Sequence, residues 1–233
     1  MTIFVNEQFS KCIKKICKAN VIPLSPFDKL DAPVSAHADM LVFVLNNKIF
    51  LYKEYYEANK GLFSHLLDDY EFIMVEKQCG KKYPSDVALN VLRLGNTIFA
   101  KADSIADEIL AEIQKNKYEL VNVNQGYTSC STLALTENTI ITADKGIAET
   151  ALSVGKDALL IEQGQIFLDG YNYGFIGGAS FVIEDTVYFM GDIKKHSDYI
   201  KIRDKIESLG MKIKSISLGD VCDFGGVRVI WIV

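Results

Sequence analysis

The side chains of this 233-residue chain that could do chemistry gather at short polar junctions between apolar runs. Ala36-His37-Ala38-Asp39 sets an imidazole two residues from a carboxylate, a spacing suited to a general base beside a charged partner. A second junction holds Ser85 and Asp86, a third runs from Tyr127 to Ser131 and includes Cys130, and a fourth is Gly177-Gly178-Ala179-Ser180. The last is Cys222-Asp223-Phe224-Gly225-Gly226-Val227-Arg228. These residue types supply proton transfer, nucleophilic attack and ion pairing, and Arg228 suggests a site for a carboxylate or another anion. Each has a plainer role too. His37 could hydrogen-bond only locally, Cys130 and Cys222 could be buried structural thiols, and a salt bridge from Arg228 to Asp39, Asp86 or Asp223 needs no ligand. Asp192 and His196 have the spacing of a metal pair, but a helix N-cap aspartate with a first-turn histidine accounts for them, so no metal site and no cofactor are expected.

The elements that must position these groups form a repeat. Four β-rich hairpins turn on a polar or glycine pair: Leu41 to Tyr52 at Asn46-Asn47, Ala88 to Ala100 at Gly95-Asn96, Thr132 to Ala143 at Glu137-Asn138, and Ser180 to Met190 at Glu184-Asp185. An amphipathic segment of helical period and one more strand follow each. These are Glu54 to Asp68 with Glu71 to Val75, Asp103 to Asn116 with Tyr118 to Val123, Gly146 to Val154 with Ala158 to Ile161, and His196 to Leu209 with Lys212 to Ser217. Asp103 or Ser104 would cap the second helix. The N-terminal helix Glu7 to Asn20 and strand Val21 to Leu24 form a unit lacking its hairpin, which Thr2 to Val5 and Val227 to Val233 could supply from the two termini. That gives five ββαβ units closed in a ring within one domain, residues 1–233, a repeat length and content that fit a propeller-like array without exposed sheet edges. A generic α/β sandwich with fortuitous hairpins is the alternative. The stretch Gln163 to Gly178 interrupts the repeat. It adds an expected strand, Gln165 to Asp169, and an aromatic, glycine-rich loop (Tyr171, Tyr173, Phe175) that could be a lid over a site or a packed surface loop.

Composition bounds the partners. With 49% hydrophobic and 24% charged residues the chain is globular, and a net charge of -5 offers no general attraction to a phosphate backbone, so no nucleic-acid partner is expected. The lysines of the first helix (Lys11, Lys14, Lys15, Lys18) read as a solvated face. No apolar run approaches the roughly 20 residues of a membrane span, which argues against a membrane partner. The N-terminal stripe is amphipathic rather than a signal-peptide core, and the five cysteines form no Cys-x-x-Cys pair, so a cytoplasmic chain with reduced thiols is expected.

In element order the chain resembles the pentein, or guanidino-group-modifying enzyme, superfamily, with dimethylarginine dimethylaminohydrolase the member whose order is most similar. Ala38-Asp39-Met40-Leu41-Val42 resembles the segment in which that superfamily opens a unit with an acidic pair and a hydrophobic hairpin, the first acid here being alanine. Tyr83-Pro84-Ser85-Asp86-Val87 resembles its Glu-Gly-Gly-Asp segment only in the final aspartate and valine. The resemblance implies a five-bladed pseudo-symmetric α/β propeller, carboxylates (Asp39, Asp86) that clamp a guanidinium, a cysteine nucleophile and a proton-shuttling histidine. The matching histidine segment, Gly126-Tyr127-Thr128-Ser129-Cys130-Ser131, has no histidine, and no cysteine follows Gly225-Gly226.

Two readings follow. One is a small-molecule protein that binds a polar guanidine or amidine ligand through Asp39, Asp86, Ser180 and Arg228 without the usual Cys-His pair, or, if catalytic, a divergent C–N hydrolase using His37 and a displaced cysteine, Cys130 or Cys222. The other is a non-catalytic ribosome- or protein-binding factor of the same architecture, since the ribosome anti-association factors of archaea and eukaryotes resemble such rings and lack the catalytic set. The oligomeric state is open.

Overall fold

The first element pair shows how local chemistry sets the architecture. Strand β1 (Thr2–Asn6) ends where the Asn6 side chain accepts a hydrogen bond from the Gln8 amide and so caps helix α1 (Glu7–Ile16). Strand β2 (Asn20–Leu24) returns parallel to β1, with Ile3 opposite Val21. The helix stops at Ile16, short of the expected Asn20, with extended Cys17 as its C-cap. The computed structural model describes residues 1–231, so Ile232 and Val233 of the expected terminal strand lie outside the described residues.

A one-turn helix, α2 (Ala38–Leu41), leads into the first hairpin, β3 (Val42–Leu45) and β4 (Lys48–Tyr52). Next come α3 (Lys53–Ala58), α4 (Lys60–Phe63) and β5 (Glu71–Val75). The pattern repeats as β6 (Leu92–Leu94), β7 (Thr97–Ala100), α5 (Asp107–Lys115) and β8 (Glu119–Asn122), then as β9 (Thr132–Ala134), β10 (Thr139–Thr142), α6 (Lys145–Ser153) and β11 (Asp157–Leu160). It ends with β12 (Ser180–Ile183), β13 (Thr186–Phe189), α7 (Tyr199–Ser208), β14 (Lys212–Ser215) and β15 (Val227–Ile230). In each of the four internal sheets an antiparallel hairpin precedes a strand parallel to its second member; in the fifth, β15 lies antiparallel to β1, Val229 opposite Ile3. The chain is therefore an α/β protein of five three-stranded sheets, and its two termini share one of them.

The hairpins turn at the residues the sequence marks. Asn46, Gly95 and Glu184 take left-handed backbone (φ 56°, 63° and 54°), which matches a tight turn to the twist of its strands. Three expectations need correction. Glu54 to Asp68 is not one helix: Asn59 (φ -124°, ψ 24°) breaks it into α3 and α4, and a 3-10 turn follows at Ser64–Leu66. The second helix begins after Ala106, because Asp103 is taken by Lys101 and Ser104 instead of capping it. Gln165 to Asp169 is not a strand; Phe167 makes a single bridge to Cys222, with its amide donating to the Val221 carbonyl at 2.8 Å.

Apolar clusters join neighbouring sheets. Phe4, Ile22 and Leu24 of the terminal sheet pack with Phe43 and Phe50 of the β3–β5 sheet, and this cluster runs on to Ile98 and Ile109. Leu94 and Phe99 pack with Ile140 and Ile147, and Leu133 and Ile141 with Val187 and Phe189. Ile3 and Val21 pack with Phe181 and Tyr188, bringing the last internal sheet against the terminal one. Phe50, Phe99 and Phe189 are fully buried, each contributing about 1.5–3 kcal/mol relative to exposure. Among the described residues no helix is long and apolar enough to cross a membrane.

Candidate functional site

His37 and Asp39 are placed by the α2 turn and by the C-terminal glycines. The amides of Met40 and Leu41 donate to the His37 carbonyl at 3.1 Å, and the Asp39 amide donates to the Gly225 carbonyl at 3.1 Å. A Cβ on Gly225 would overlap His37, and its φ of +82° is one that other residues adopt only under strain, so the glycine is required on both counts. Asp223 is clasped from the same side: Oδ1 accepts from the Gly225 amide at 3.0 Å and Oδ2 from the Phe175 amide at 2.9 Å. Gly178 packs so closely on it that a Cβ would collide with the carboxylate.

The imidazole thus stands between two carboxylates. His37 Nδ1 is 3.7 Å from Asp223 Oδ1 and 3.9 Å from Asp39 Oδ1, too far for direct hydrogen bonds but close enough for strong mutual fields in a buried setting. Burial, above all, pushes the Asp223 carboxyl up to about 6; His37 and two backbone amides oppose this, and the charge of Asp39 adds to it. Asp39 is 1% exposed, and among the described residues neither of its carboxylate oxygens has a hydrogen-bond partner.

Cys130 joins them through a residue that the sequence reading missed. The fully buried Asn90 accepts from the amides of Ser129 (2.8 Å) and Cys130 (3.2 Å) and donates to the Asp39 carbonyl (3.0 Å) and to Cys130 Sγ (2.8 Å). One amide side chain so ties two junctions. The signal available was a polar residue inside the otherwise apolar run Val87 to Leu92. Burial, with the charges of Asp39 and Asp223 nearby, pushes the Cys130 thiol well above its ordinary pKa, so the sulfur is held protonated.

His37, Met40, Tyr127, Cys130 and Asp223 line a cavity of about 230 Å³, walled by Tyr171, Tyr173 and Phe175. The aromatic, glycine-rich stretch, for which the sequence left open a lid or a packed surface loop, forms one side of the cavity. Its rings are anchored: Tyr171 Oη donates to Asp31 at 2.9 Å, Gln163 donates to Tyr173 Oη at 2.7 Å, and the Tyr127 and Phe175 centroids are 5.9 Å apart. Asp86 meets the cavity indirectly, accepting from Tyr127 Oη at 2.6 Å, while its other oxygen is buried without a partner. Burial raises the Asp86 pKa, and the tyrosine bond partly offsets it.

The remaining candidates lie elsewhere. Ser180 and Arg228 line a second cavity of about 240 Å³, where Ser180 Oγ donates to the Ile176 carbonyl at 2.6 Å and Arg228 Nη2 to Ser129 Oγ at 2.8 Å. Among the described residues Arg228 forms no direct ion pair with Asp39, Asp86 or Asp223, although the charge of Asp39 acts on it at longer range. Cys222 packs with Phe181, Tyr188 and Phe224, and its thiol too is raised by burial. Asp192 caps a 3-10 turn at Ile193–Lys195, and His196 precedes α7 and accepts from the Asp198 amide, which corrects its expected first-turn place. Among the described residues no cluster of His, Cys, Asp and Glu could hold a metal ion.

The architecture is the pentein fold of the guanidino-group-modifying enzymes. The chain is similar to the DDAH of Pseudomonas aeruginosa solved with citrulline (TM-score 0.60, 12% identity, 97% of this chain and 95% of that one). It is similar also to SxtG, an amidinotransferase of saxitoxin biosynthesis from Microseira wollei (TM-score 0.56, 12% identity, 99% and 94%), and to the agmatine deiminase of C. jejuni (TM-score 0.55, 11% identity, 94% and 79%). Residues 4–228 match the model of a family of unknown function, DUF6873, and the chain belongs to that family. No curated protein matches it.

Proposed function

We propose that the chain is a single-domain, five-bladed pseudo-symmetric α/β propeller whose first cavity binds a small guanidine- or amidine-type cation without a Cys-His catalytic pair. The ring arrangement is supported by the terminal sheet packing against both the first and the last internal sheet. The observation that carries the ligand is the pair of carboxylates on either side of His37: Asp223 lines the cavity, and Asp39, outside the lining, stands behind His37 with no hydrogen bond among the described residues. A buried carboxylate without hydrogen bonds costs several kcal/mol, and a planar cation held by Asp223 would offset part of that cost through its field on Asp39. Tyr127, Tyr171, Tyr173 and Phe175 offer ring faces to a flat cation.

Thermal shift on the purified chain, with agmatine, arginine, methylated arginines, citrulline and simple carboxylates, tests this, with ammonia and citrulline release followed for each compound. Agmatine or an arginine should raise the Tm of wild type clearly more than that of Asp39→Asn at the same concentration. Equal shifts in both proteins would sink the proposal.

One observation favours a hydrolytic alternative: His37 and Cys130 line the same cavity. In that reading Cys130 Sγ, giving its proton to His37, adds to the guanidine carbon, the C–N bond breaks as the amine leaves with that proton, and water deprotonated by His37 then displaces the sulfur to give the urea product and the free thiol. Against it stands a thiol held protonated by burial and anionic neighbours. Product release that disappears in Cys130→Ser would establish the alternative.

A further inference from the structure

The second cavity is built from strands. Each of the five sheets contributes to its wall: Phe43 from β3, Leu92 from β6, Thr132 from β9, Phe181 from β12 and Arg228 from β15. Most of this lining is apolar, and what is polar leaves donors unused. A guanidinium has five N–H donors. Among the described residues Arg228 makes two hydrogen bonds, from Nη1 to its neighbour's carbonyl on Val227 (3.1 Å) and from Nη2 to Ser129 Oγ (2.8 Å), and no ion pair. Thr132 Oγ1 is buried without a partner. Arg93, which also lines the cavity, is engaged outward, bonded to the Gly95 carbonyl and to Asn46 and lying 5.2 Å over the Tyr118 ring. Arg228 is therefore the cation with capacity to spare.

We propose that this cavity is a binding site for a small carboxylate bearing a compact apolar group, with Arg228 gripping the carboxylate and Phe43, Leu92 and Phe181 enclosing the apolar part. A guanidinium fork pairs with a carboxylate through two parallel N–H···O bonds, which places the anion and fixes its orientation. The volume of about 240 Å³ admits one molecule the size of benzoate. Nothing in this assignment depends on what the first cavity binds.

Calorimetric titration of the full chain with benzoate, isobutyrate, inorganic phosphate and chloride at fixed ionic strength tests it, in wild type, Arg228→Met, Arg228→Lys and Thr132→Val. Benzoate and isobutyrate should bind wild type, with phosphate and chloride weaker; Arg228→Met should abolish binding and Arg228→Lys weaken it about tenfold, since a lysine cannot form the fork. No binding to wild type at millimolar benzoate, or unchanged affinity in a cooperatively melting Arg228→Met, overturns the site. Phosphate binding tighter than benzoate overturns the apolar ligand class. Should Arg228→Met fail to fold, unchanged benzoate affinity in both Arg228→Lys and Thr132→Val is the overturning result.

Discussion

The two cavities differ in what they leave unpaired. The first is lined by Asp223, pushed up to about 6, and among the described residues the acceptors to spare lie just behind its lining: Asp39 with both oxygens unbonded and Asp86 with one bare oxygen. The second has donors to spare on Arg228. Their origin differs too. His37 and Asp223 come from junction loops clamped by Gly178 and Gly225, whereas Ser180 and Arg228 lie within strands held by sheet pairing. A site made from loops is positioned by tight turns and fails when a turn fails; a site made from strands persists as long as the sheets do.

The largest expected effect follows from that contrast. Gly225→Ala must accommodate a side chain at φ +82° against His37, and should lower stability by about 3 kcal/mol or more and abolish agmatine binding. Urea melts and titration check it; a benzoate site that survives in the folded fraction would confirm that the cavities are separately built.

Next is pH. Folding raises the Asp223 carboxyl from about 3.9 to about 6, so its contribution to stability is complete below about pH 4 and is lost as pH rises through about 6, amounting to about 3 kcal/mol. Urea melts between pH 4 and 7 should show this slope in wild type and a flatter one in Asp223→Asn. Ionisation of Asp223 should at the same time strengthen agmatine binding across that interval. Slopes that are equal in the two proteins would remove Asp223 from the titration.

Asp39→Asn should cost about tenfold or more in agmatine affinity, about 1.4 kcal/mol, with an unchanged or higher Tm, because an unpartnered buried charge is removed. It should leave benzoate binding intact or tighten it, since the field of Asp39 reaches Arg228 and competes with any anion there. Loss of both ligands together would break the distinction between the cavities. The smallest effect is expected at Cys130, whose buried, protonated sulfur should resist iodoacetamide at pH 8 in the native state. Mass-mapped alkylation of native against unfolded chain measures it, and fast native modification would revive the nucleophile reading.

Much of the frame was legible because its signals are local. Asn46, Gly95 and Glu184 sit where left-handed turns form, and short runs rich in β-branched, aromatic and other apolar residues mark the strands, so the four hairpins and the third strand of each unit could be placed, whereas the parallel pairing of that strand is a finding of the structure. Breaks inside segments were harder. Periodicity from Glu54 to Asp68 is continuous in sequence, yet Asn59 interrupts the helix, and Asp103 prefers the ammonium of Lys101 to the helix amides. Gln165 to Asp169 reads like a short strand, with Ile166, Phe167 and Leu168 between polar ends, yet among the described residues it forms an isolated bridge, Phe167 to Cys222.

The site divides in the same way. Residue types and spacing alone marked His37, Asp39 and Cys130 as chemistry at junctions, and the repeat implied that junctions distant in the chain meet. Only the tertiary structure decided that Asn90 ties Cys130 to the Asp39 turn, that Asp223 rather than Asp86 flanks His37, and that Ser180 and Arg228 serve a different cavity. The reason is geometric. A strand advances about 3.3 Å per residue and alternates its faces, so one or two positions beyond a junction carry a side chain to another wall. Such a step is invisible in a list of residue types, and the register that fixes it exists only once the five sheets have formed.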